Sequence, residues 1–247
     1  MAGAARRSGK RLEGRIALIT GASRGIGAAV ARRFAREGAH VILVARTTGG
    51  LEEVDDAIKA DIKEGSGGST TLVPLDLAEH DGIDRLGAAI YERSGRLDIL
   101  VGNAATLGTL SPMGHIDPAV WDELIAVNVT ANWRLIRSFD PLLRAAEAGR
   151  AIFVTSGVAS NVFPYWGAYA VSKAALEMMV KVYAGEITKT SVRANLLDPG
   201  AVRTGMRAQA FPGEDPSSLP HPDEVTDRFV ELAEPACTRN GEVVRAY

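Results

Sequence analysis

Tyr169 and Lys173 stand four residues apart in the segment AYAVSK, and both carry groups that exchange protons. On a helix, residues four apart lie on one face, a turn from each other. A free tyrosine titrates at about pH 10, too high for ready proton exchange at neutral pH, but a neighbouring ammonium group stabilises the phenolate and lowers the tyrosine pKa. The spacing therefore indicates a general acid/base pair. The alternative is an ordinary tyrosine and lysine of a surface helix.

Two nearby residues bear on that choice. Tyr165 is followed four positions later by Tyr169 and not by a cation, so it is the poorer candidate for an acid. Ser156 closes a short apolar run that is typical of a buried strand. In open α/β sheets ligands bind beyond the carboxyl ends of the strands, so the Ser156 hydroxyl could hold a substrate carbonyl oxygen beside Tyr169.

A glycine-rich segment, TGASRGIG at residues 20–27, follows the first predicted strand and precedes a predicted helix. Gly21, Gly25 and Gly27 would let the chain turn tightly, approach a pyrophosphate and pack the helix against the strand. The helix N-terminus would add N–H donors for the phosphates. The segment predicts a dinucleotide site, and a helix start that needs glycines for packing alone is the alternative.

The end of the second predicted strand bears on which dinucleotide binds. An acid there bonds the adenosine ribose hydroxyls of NAD, whereas an arginine accommodates the 2′-phosphate of NADP. Arg46 directly follows this strand, no acid follows before Glu52, and Arg24 lies within the glycine turn. Two guanidinium groups can bind a phosphate bidentately, which favours NADP(H). NAD(H) stays possible if Arg46 is only a solvated charge.

The elements that must position these residues follow a regular pattern. Short runs rich in valine and isoleucine alternate with longer stretches whose apolar residues recur every three or four positions. Such alternation implies right-handed βαβ crossovers. We predict an α/β fold: a single-domain Rossmann-type doubly wound parallel sheet with helices on both faces. The predicted strands are 16–20, 40–45, 71–75, 97–101, 151–155 and 192–197, and the predicted helices are 26–37, 50–63, 82–94, 118–146 and 166–188.

The chain shows neither an internal repeat nor a linker. Residues 13–247 are therefore predicted to form one dinucleotide-binding and catalytic domain behind a flexible basic tail, residues 1–12. Residues 200–222 contain four prolines, and a long loop of this kind is often a lid over the substrate.

Composition excludes several classes of function. A net charge of −2 on 247 residues leaves no basic field for nucleic acid. One cysteine excludes an intrachain disulfide, and the four scattered histidines lack metal-ligand spacing. No apolar run is long enough to span a membrane. We expect a cytoplasmic protein without metal, membrane or nucleic-acid partners, although the basic start could also be a transit peptide.

Taken together, these motifs resemble the short-chain dehydrogenase/reductase family over essentially the whole chain. The similar features are a TGxxxGxG turn, a serine with a YxxxK motif, an acid after the third strand, an asparagine on the fourth helix and a Pro-Gly segment that meets the nicotinamide. They fall at residues 20–27, Ser156, Tyr169, Lys173, Asp76, Asn128, Pro199, Gly200 and Thr204. The resemblance implies oxidoreduction of a carbonyl or alcohol with a nicotinamide cofactor.

The resemblance also implies a role for each residue. Tyr169 would exchange the proton, Lys173 would lower the Tyr169 pKa and bond the nicotinamide ribose, and Ser156 would orient the carbonyl. Asn128 would hold a water in a proton relay. The implied cofactor contacts are Gly21, Ser23, Arg24, Gly25, Ile26, Gly27, Arg46, Asp76, Leu77, Asn103, Ala104, Tyr169, Lys173, Pro199, Gly200, Val202 and Thr204.

Some features depart from the family pattern or allow another interpretation. Asn128 could instead satisfy helix backbone near a kink, and Asp76 could cap the next helix. The family's NNAG reads GNAA at residues 102–105, which leaves the geometry of that loop open. The C-terminus lacks the family's frequent double glycine, which argues against a 3-oxoacyl-ACP reductase.

Residues around the predicted site are mostly apolar, which favours a hydrophobic ketone or alcohol as substrate: Val158, Val162, Phe163, Tyr165, Trp166, Met206, Phe211 and Leu219. Charged residues of the lid keep an acidic or acyl-carrier substrate open. The alternatives are a 3-oxoacyl-ACP reductase-like enzyme of fatty-acid synthesis, a dehydratase or epimerase of the same fold, and a non-catalytic dinucleotide-sensing protein.

The resemblance further implies a homodimer or homotetramer built partly from the helix that carries Tyr169. Apolar positions compatible with such an interface, or with the core, are Ala174, Ala175, Met178, Met179 and Val182.

Overall fold

The chain folds around a parallel sheet of seven strands, as seen in a computed structural model that describes residues 10–62 and 68–247. The strands are β1 (Ile16–Thr20), β2 (His40–Ala45), β3 (Ser69–Pro74), β4 (Ile99–Gly102), β5 (Arg150–Val154), β6 (Arg193–Asp198) and β7 (Val243–Arg245). Their order across the sheet is β3-β2-β1-β4-β5-β6-β7.

Eight α-helices accompany the sheet within the described residues, and none of the eight is both long and apolar enough to cross a membrane. They are α1 (Gly25–Arg36), α2 (Thr48–Asp61), α3 (His80–Ser94), α4 (Pro118–Ile125), α5 (Ala131–Ala145), α6 (Gly167–Glu186), α7 (Gly205–Ala210) and α8 (Thr226–Ala233).

The helices form a layer on each face of the sheet, and each layer has its own core. On one face α1, α2 and α8 pack around Phe34 and Phe229, both fully buried. On the other face α3, α5 and α6 pack around Phe139 and Leu176. The strands are apolar because both of their faces are covered. The prediction of a doubly wound α/β fold is confirmed.

The strand order reverses between β1 and β4, which are neighbours in the sheet. The connections from these two strands lead to opposite faces, so a crevice opens beyond their carboxyl ends. The residues that end β1, β4, β5 and β6 all meet at this edge. Three of the predicted site segments follow these strand ends directly, which explains how residues far apart in sequence come together.

The sequence pattern did not predict the two C-terminal elements, α8 and β7. β7 is a three-residue edge strand whose Val243 and Arg245 are exposed, so it carries no continuous apolar run. The predicted helix 118–146 is also divided, because a π-helical turn at Ala126–Thr130 separates α4 from α5. Within the predicted lid, 200–222, the chain forms α7 and the short 3₁₀ turn Pro216–Ser218.

Most of the predicted basic tail, residues 1–9 of 1–12, lies outside the described residues, as does position 63, the predicted end of the second helix. Leu12 is fully buried in the core of the α1 layer. Arg11 forms an ion pair with Glu234, and its backbone N–H donates to the Glu37 carboxylate at 3.1 Å. Ordered packing therefore begins before the predicted boundary at residue 13.

Candidate active site

A cavity of about 800 Å³ opens at the carboxyl edge of the sheet, where the strand order reverses. Nearly all predicted site residues line it; among the described residues only Gly27 and Asn128 do not. The lining residues from the prediction are Gly21, Ser23, Arg24, Gly25, Ile26, Arg46, Asp76, Leu77, Asn103, Ala104, Ser156, Tyr169, Lys173, Pro199, Gly200, Val202 and Thr204.

The glycine turn joins β1 to α1 and forms one end of the cavity wall. Gly21 and Gly25 have φ angles of +66° and +57°, a region that side-chain-bearing residues rarely adopt. A Cβ on Gly27 would collide with the Gly21 carbonyl and the Asn103 side chain. Gly27 therefore serves the packing of α1 against the sheet from behind the cavity, while the N-terminus of α1 faces into it. Such an N-terminus suits a phosphate group.

Asn103, in the altered GNAA segment, ties the end of β4 to the glycine turn. Its side-chain amide donates to the backbone oxygens of Thr20 and Gly21 at 2.9 and 3.3 Å. The backbone N–H groups of Asn103 and Ala104 donate to the Thr20 hydroxyl at 3.0 and 3.1 Å. The loop is thus anchored by one asparagine and one threonine.

Asp76 follows β3, where it both closes a local turn and lines the cavity. Its Oδ1 accepts a hydrogen bond from the Ala78 backbone at 2.9 Å, which closes a local turn. The residue preceding α3 is Glu79, so Asp76 is not the cap of that helix. Asp76 also lines the cavity, and its carboxylate retains acceptor capacity toward it.

Tyr169 and Lys173 lie one turn apart on α6 and are both buried, with 7% and 2% exposure. The Lys173 ammonium stands 5.6 Å from the centre of the Tyr169 ring and donates to the Val154 carbonyl at 2.8 Å. The Tyr169 hydroxyl faces the sulfur of Met206 on α7, at 3.9 Å. Lys173 is therefore bonded to the end of β5, while Tyr169 points toward the lid.

The pKa of Tyr169 differs in direction from the sequence-based prediction, which was wrong on this point. Burial raises the pKa of Tyr169 above its usual range, and the Asp198 carboxylate adds to the rise. Burial likewise lowers the pKa of Lys173 to about 8. Desolvation disfavours charge on both groups. The Tyr169 phenol is consequently protonated at neutral pH.

Asp198 was missed by sequence reasoning. It ends β6 and precedes Pro199, so its position at the same sheet edge was a signal that could have found it. Its Oδ1 accepts from the Gly200 backbone at 3.0 Å, which shapes the turn into the lid. The negative charge reaches Tyr169 and reinforces the neutral phenol.

Ser156 lies two residues after the end of β5, in an extended conformation that starts the short 3₁₀ turn Gly157–Ala159. Its backbone oxygen accepts from the Ala159 N–H at 2.9 Å, so the backbone is held by this turn. The residue lines the cavity together with Tyr169 and Lys173. The structure thus brings these three predicted residues to one cavity.

Asn128, unlike the other three predicted catalytic residues, lies outside the cavity wall. It is fully buried in the π-helical turn and does not line the cavity. Its amide group donates to the Thr106 carbonyl at 2.9 Å and to the Ser172 hydroxyl at 3.0 Å, and its oxygen accepts from the Thr106 N–H at 2.9 Å. Both amide hydrogens are used, so this side chain connects α6 to the loop after β4.

The predicted apolar wall is only partly present. Of its eight residues, Trp166 and Met206 line the cavity, whereas Val162 is 96% exposed and Tyr165 63% exposed. The segment 157–166 runs across the surface between β5 and α6, which turns these side chains toward solvent. Tyr165 also adopts a φ of +75°, a costly conformation for a side-chain-bearing residue. The six residues outside the wall are Val158, Val162, Phe163, Tyr165, Phe211 and Leu219.

Several known proteins are similar to this chain in sequence and in structure. A family model described as short chain dehydrogenase matches residues 15–215. The uncharacterized oxidoreductase YciK of Escherichia coli (strain K12) is 39% identical over 223 residues, covering 90% of this chain and 86% of that protein. A solved structure from Pseudomonas syringae has a TM-score of 0.91 and 38% identity, with 96% of each chain covered. Another, from Escherichia coli CFT073 and complexed with NADPH, has a TM-score of 0.89 and 37% identity over 96% of this chain and 98% of that one.

Proposed function

This chain belongs to the short-chain dehydrogenase family and is an NAD(P)-dependent oxidoreductase, and on that premise we propose that it acts with NADP(H) on an apolar ketone or alcohol. The observation that carries the proposal is that Ser156, Tyr169 and Lys173 line the same cavity as the glycine turn. Proton exchange and cofactor binding can thus occur side by side.

The residues of the glycine turn fit a dinucleotide. Gly21 and Gly25 line the cavity with positive φ angles, and without side chains they would let a phosphate approach the backbone N–H groups. These groups and the N-terminus of α1 would hold the pyrophosphate, and Asp76 would accept a hydrogen bond from the adenine. When bound, the nicotinamide supplies the hydride that the protein lacks.

The protein's own contribution is to orient the carbonyl and to hold a proton. The Ser156 hydroxyl would donate to the carbonyl oxygen, while the neutral Tyr169 phenol would donate its proton to the same oxygen as negative charge develops. Lys173 bonds the Val154 carbonyl and so joins α6 to β5. This contact would set the distance between the Ser156 and Tyr169 hydroxyls. Asn128 supports this arrangement through Ser172, which belongs to the same helix.

Preference for NADP over NAD would come from Arg24 and Arg46, which both line the cavity at the glycine-turn end. The NADPH complex of the similar Escherichia coli CFT073 protein supports the same cofactor. Replacing Arg46 by alanine should weaken NADPH binding about tenfold or more and leave NADH binding nearly unchanged, because hydrogen bonds to charged groups are worth about 1.5–3 kcal/mol. Arg36→Ala, on α1 but away from the cavity, is the matched control.

Oxidation of NADPH over a panel of carbonyl compounds tests the activity. Wild-type protein should oxidise NADPH with at least one apolar ketone, and Tyr169→Phe should lose about 10²–10⁴-fold in kcat while NADPH still binds. Tyr165→Phe, which removes an exposed hydroxyl four residues away, should keep the rate. Tight NADPH binding with no carbonyl turned over would instead favour a non-catalytic dinucleotide-sensing role. A 3-oxoacyl carrier substrate belongs in the panel as the rival activity.

A homodimer or homotetramer is part of the proposal. Ala174, Met178 and Val182 form an exposed apolar row on α6, a turn apart from one another. Burial of this row between copies of the chain would protect it from water. Light scattering during size-exclusion chromatography would give the mass of the assembly, and Met178→Lys should shift it toward the monomer.

A further inference from the structure

An ion pair joins Arg207, a residue of the cavity wall, to Glu214 of the lid. Arg207 is on α7, next to Met206, whose sulfur contacts the Tyr169 hydroxyl. Arg207 donates two hydrogen bonds, from Nε and Nη2 to the two carboxylate oxygens of Glu214, each 2.6 Å long. The two side chains are 25% and 26% exposed, so the pair is largely withdrawn from water. A bidentate pair of this geometry is strong and directional.

The Arg207 guanidinium also lies over the ring of Phe211, with its central carbon 3.8 Å from the ring centre. Phe211 is 5.7 Å from the Trp166 ring, and Trp166 is 6.0 Å from the Tyr169 ring. A row of aromatic rings therefore leads from the catalytic hydroxyl to Arg207. Trp166 and Arg207 both line the cavity.

The cavity wall carries charges of both signs, and its acids among the described residues are Glu53, Asp76 and Glu123. Its cations among the described residues are Arg24, Arg46, Lys173 and Arg207. Arg24 and Arg46 belong to the glycine-turn end, and Lys173 is buried and bonded to backbone. Arg207 follows Met206, which contacts Tyr169, and its planar guanidinium is shaped to bind a carboxylate, but Glu214 already occupies its donor fork.

We propose that the substrate of this site is an uncharged aromatic ketone or aldehyde, and that Glu214 is the residue that excludes carboxylates by engaging Arg207. The inference rests on the proposed carbonyl chemistry at Tyr169. Aromatic substrates would pack edge-on or offset against Trp166, as aromatic pairs prefer. A carboxylate would have to break the bidentate pair and would leave Glu214 without its partner.

Two compounds that differ only in charge test the proposal: 4-acetylbenzoate and its methyl ester. Their affinities for the protein with NADP⁺ bound are measured by calorimetry, which needs no turnover. Wild-type protein should bind the ester at least tenfold more tightly than the acid. Glu214→Gln should narrow that ratio about tenfold or more, because it removes the charge that neutralises Arg207.

Asp215→Asn is the matched control. It removes the neighbouring negative charge, and the Asp215 carboxylate bonds Ser217 rather than Arg207. This variant should keep the wild-type ratio. Glu214→Ala serves as a second variant, since it releases Arg207 without leaving an amide in the fork.

Several outcomes would overturn the proposal. Equal affinity of wild-type protein for acid and ester would show that carboxylates are not excluded, and equal shifts in Glu214→Gln and Asp215→Asn would assign the effect to net lid charge. If the Glu214 variants changed the NADPH affinity but not the ratio of ester to acid affinity, Arg207 would be a contact of the cofactor and not of the substrate. Binding of neither compound would refute the aromatic class. Failure of the proposed function is seen separately, as binding of the ester without NADPH oxidation by any carbonyl.

Discussion

Thr155 donates a hydrogen bond from Oγ1 to Oε1 of Glu177 at 2.8 Å, and both side chains are buried. Glu177 lies one turn after Lys173 on α6, and Lys173 bonds the carbonyl of Val154. Helix α6 therefore holds two successive residues at the end of β5, immediately before Ser156. We expect the register between the Ser156 and Tyr169 hydroxyls to depend on these two bonds.

Thr155→Val should lower both stability and kcat. The variant keeps the side-chain volume but leaves the buried Glu177 oxygen without its donor, which costs about 1–3 kcal/mol. Without the bond from Thr155, the chain at the end of β5 should hold Ser156 less precisely. Because Ser156 acts on the reacting oxygen, kcat should fall more than KM rises. Urea unfolding and steady-state kinetics measure the two effects.

Thr155→Ser is the control for that variant, because it retains the hydroxyl and should restore most of the rate. Wild-type kcat in Thr155→Val would mean that the bond to Glu177 stabilises the fold without positioning Ser156.

Asn128→Ala distinguishes a positioning role from a direct part in proton transfer. Loss of three side-chain hydrogen bonds leaves the backbone groups of Thr106 unpaired and should cost about 1–3 kcal/mol of unfolding free energy. We expect lower stability and lower kcat together. Ser172→Ala removes one of the three bonds and should show a smaller loss of both. Full stability with a large loss of kcat would support the water-holding role predicted from sequence.

Gly27→Ala should impair cofactor binding although Gly27 does not line the cavity. The added Cβ collides with the Gly21 carbonyl and with Asn103, so α1 must move away from the strand ends. Overpacking of this kind costs about 1–3 kcal/mol, and NADPH affinity, followed by NADPH fluorescence, should fall at least tenfold. Gly185→Ala is the matched control, because a Cβ there meets no atom within 4 Å. That variant should bind NADPH normally and gain about 0.5–1 kcal/mol in stability.

Burial of Lys173 should make stability depend on pH. The pKa of Lys173 is lowered to about 8 in the folded protein, so between pH 7 and 9 the folded state releases a proton that the unfolded state keeps. Stability contributed by this group therefore rises with pH in that window. The unfolding free energy of wild type minus that of Lys173→Met should increase by about 1 kcal/mol from pH 7 to pH 9.

Lys189→Met, which removes an exposed lysine beyond the end of α6, provides the comparison for the pH experiment and should show no such increase. A flat or falling difference for Lys173→Met would mean that the ammonium is not desolvated.

Local patterns in the sequence predicted much of this protein. Buried strands have to be apolar and amphipathic helices have to repeat, so the order of elements from β1 to β6 could be derived from residue spacing. The glycines of the turn and the Ser156, Tyr169 and Lys173 set follow from local chemistry as well, because each chemical task restricts the residue types at fixed offsets. Edge strand β7 lacked such a pattern, since one covered face requires no continuous apolar run.

Only tertiary packing decided the properties of residues whose surroundings come from distant segments. The direction of the Tyr169 pKa is set by burial under α7 and by Asp198, so the ammonium one turn away could not reveal it. The bonds of Asn128 depend on how α6 and the loop after β4 meet at the π-helical turn. The pairing of Arg207 with Glu214 depends on how the lid folds back. Residue types determine which groups can react, whereas desolvation and long-range hydrogen bonds, which exist only in the folded chain, determine their charge and orientation.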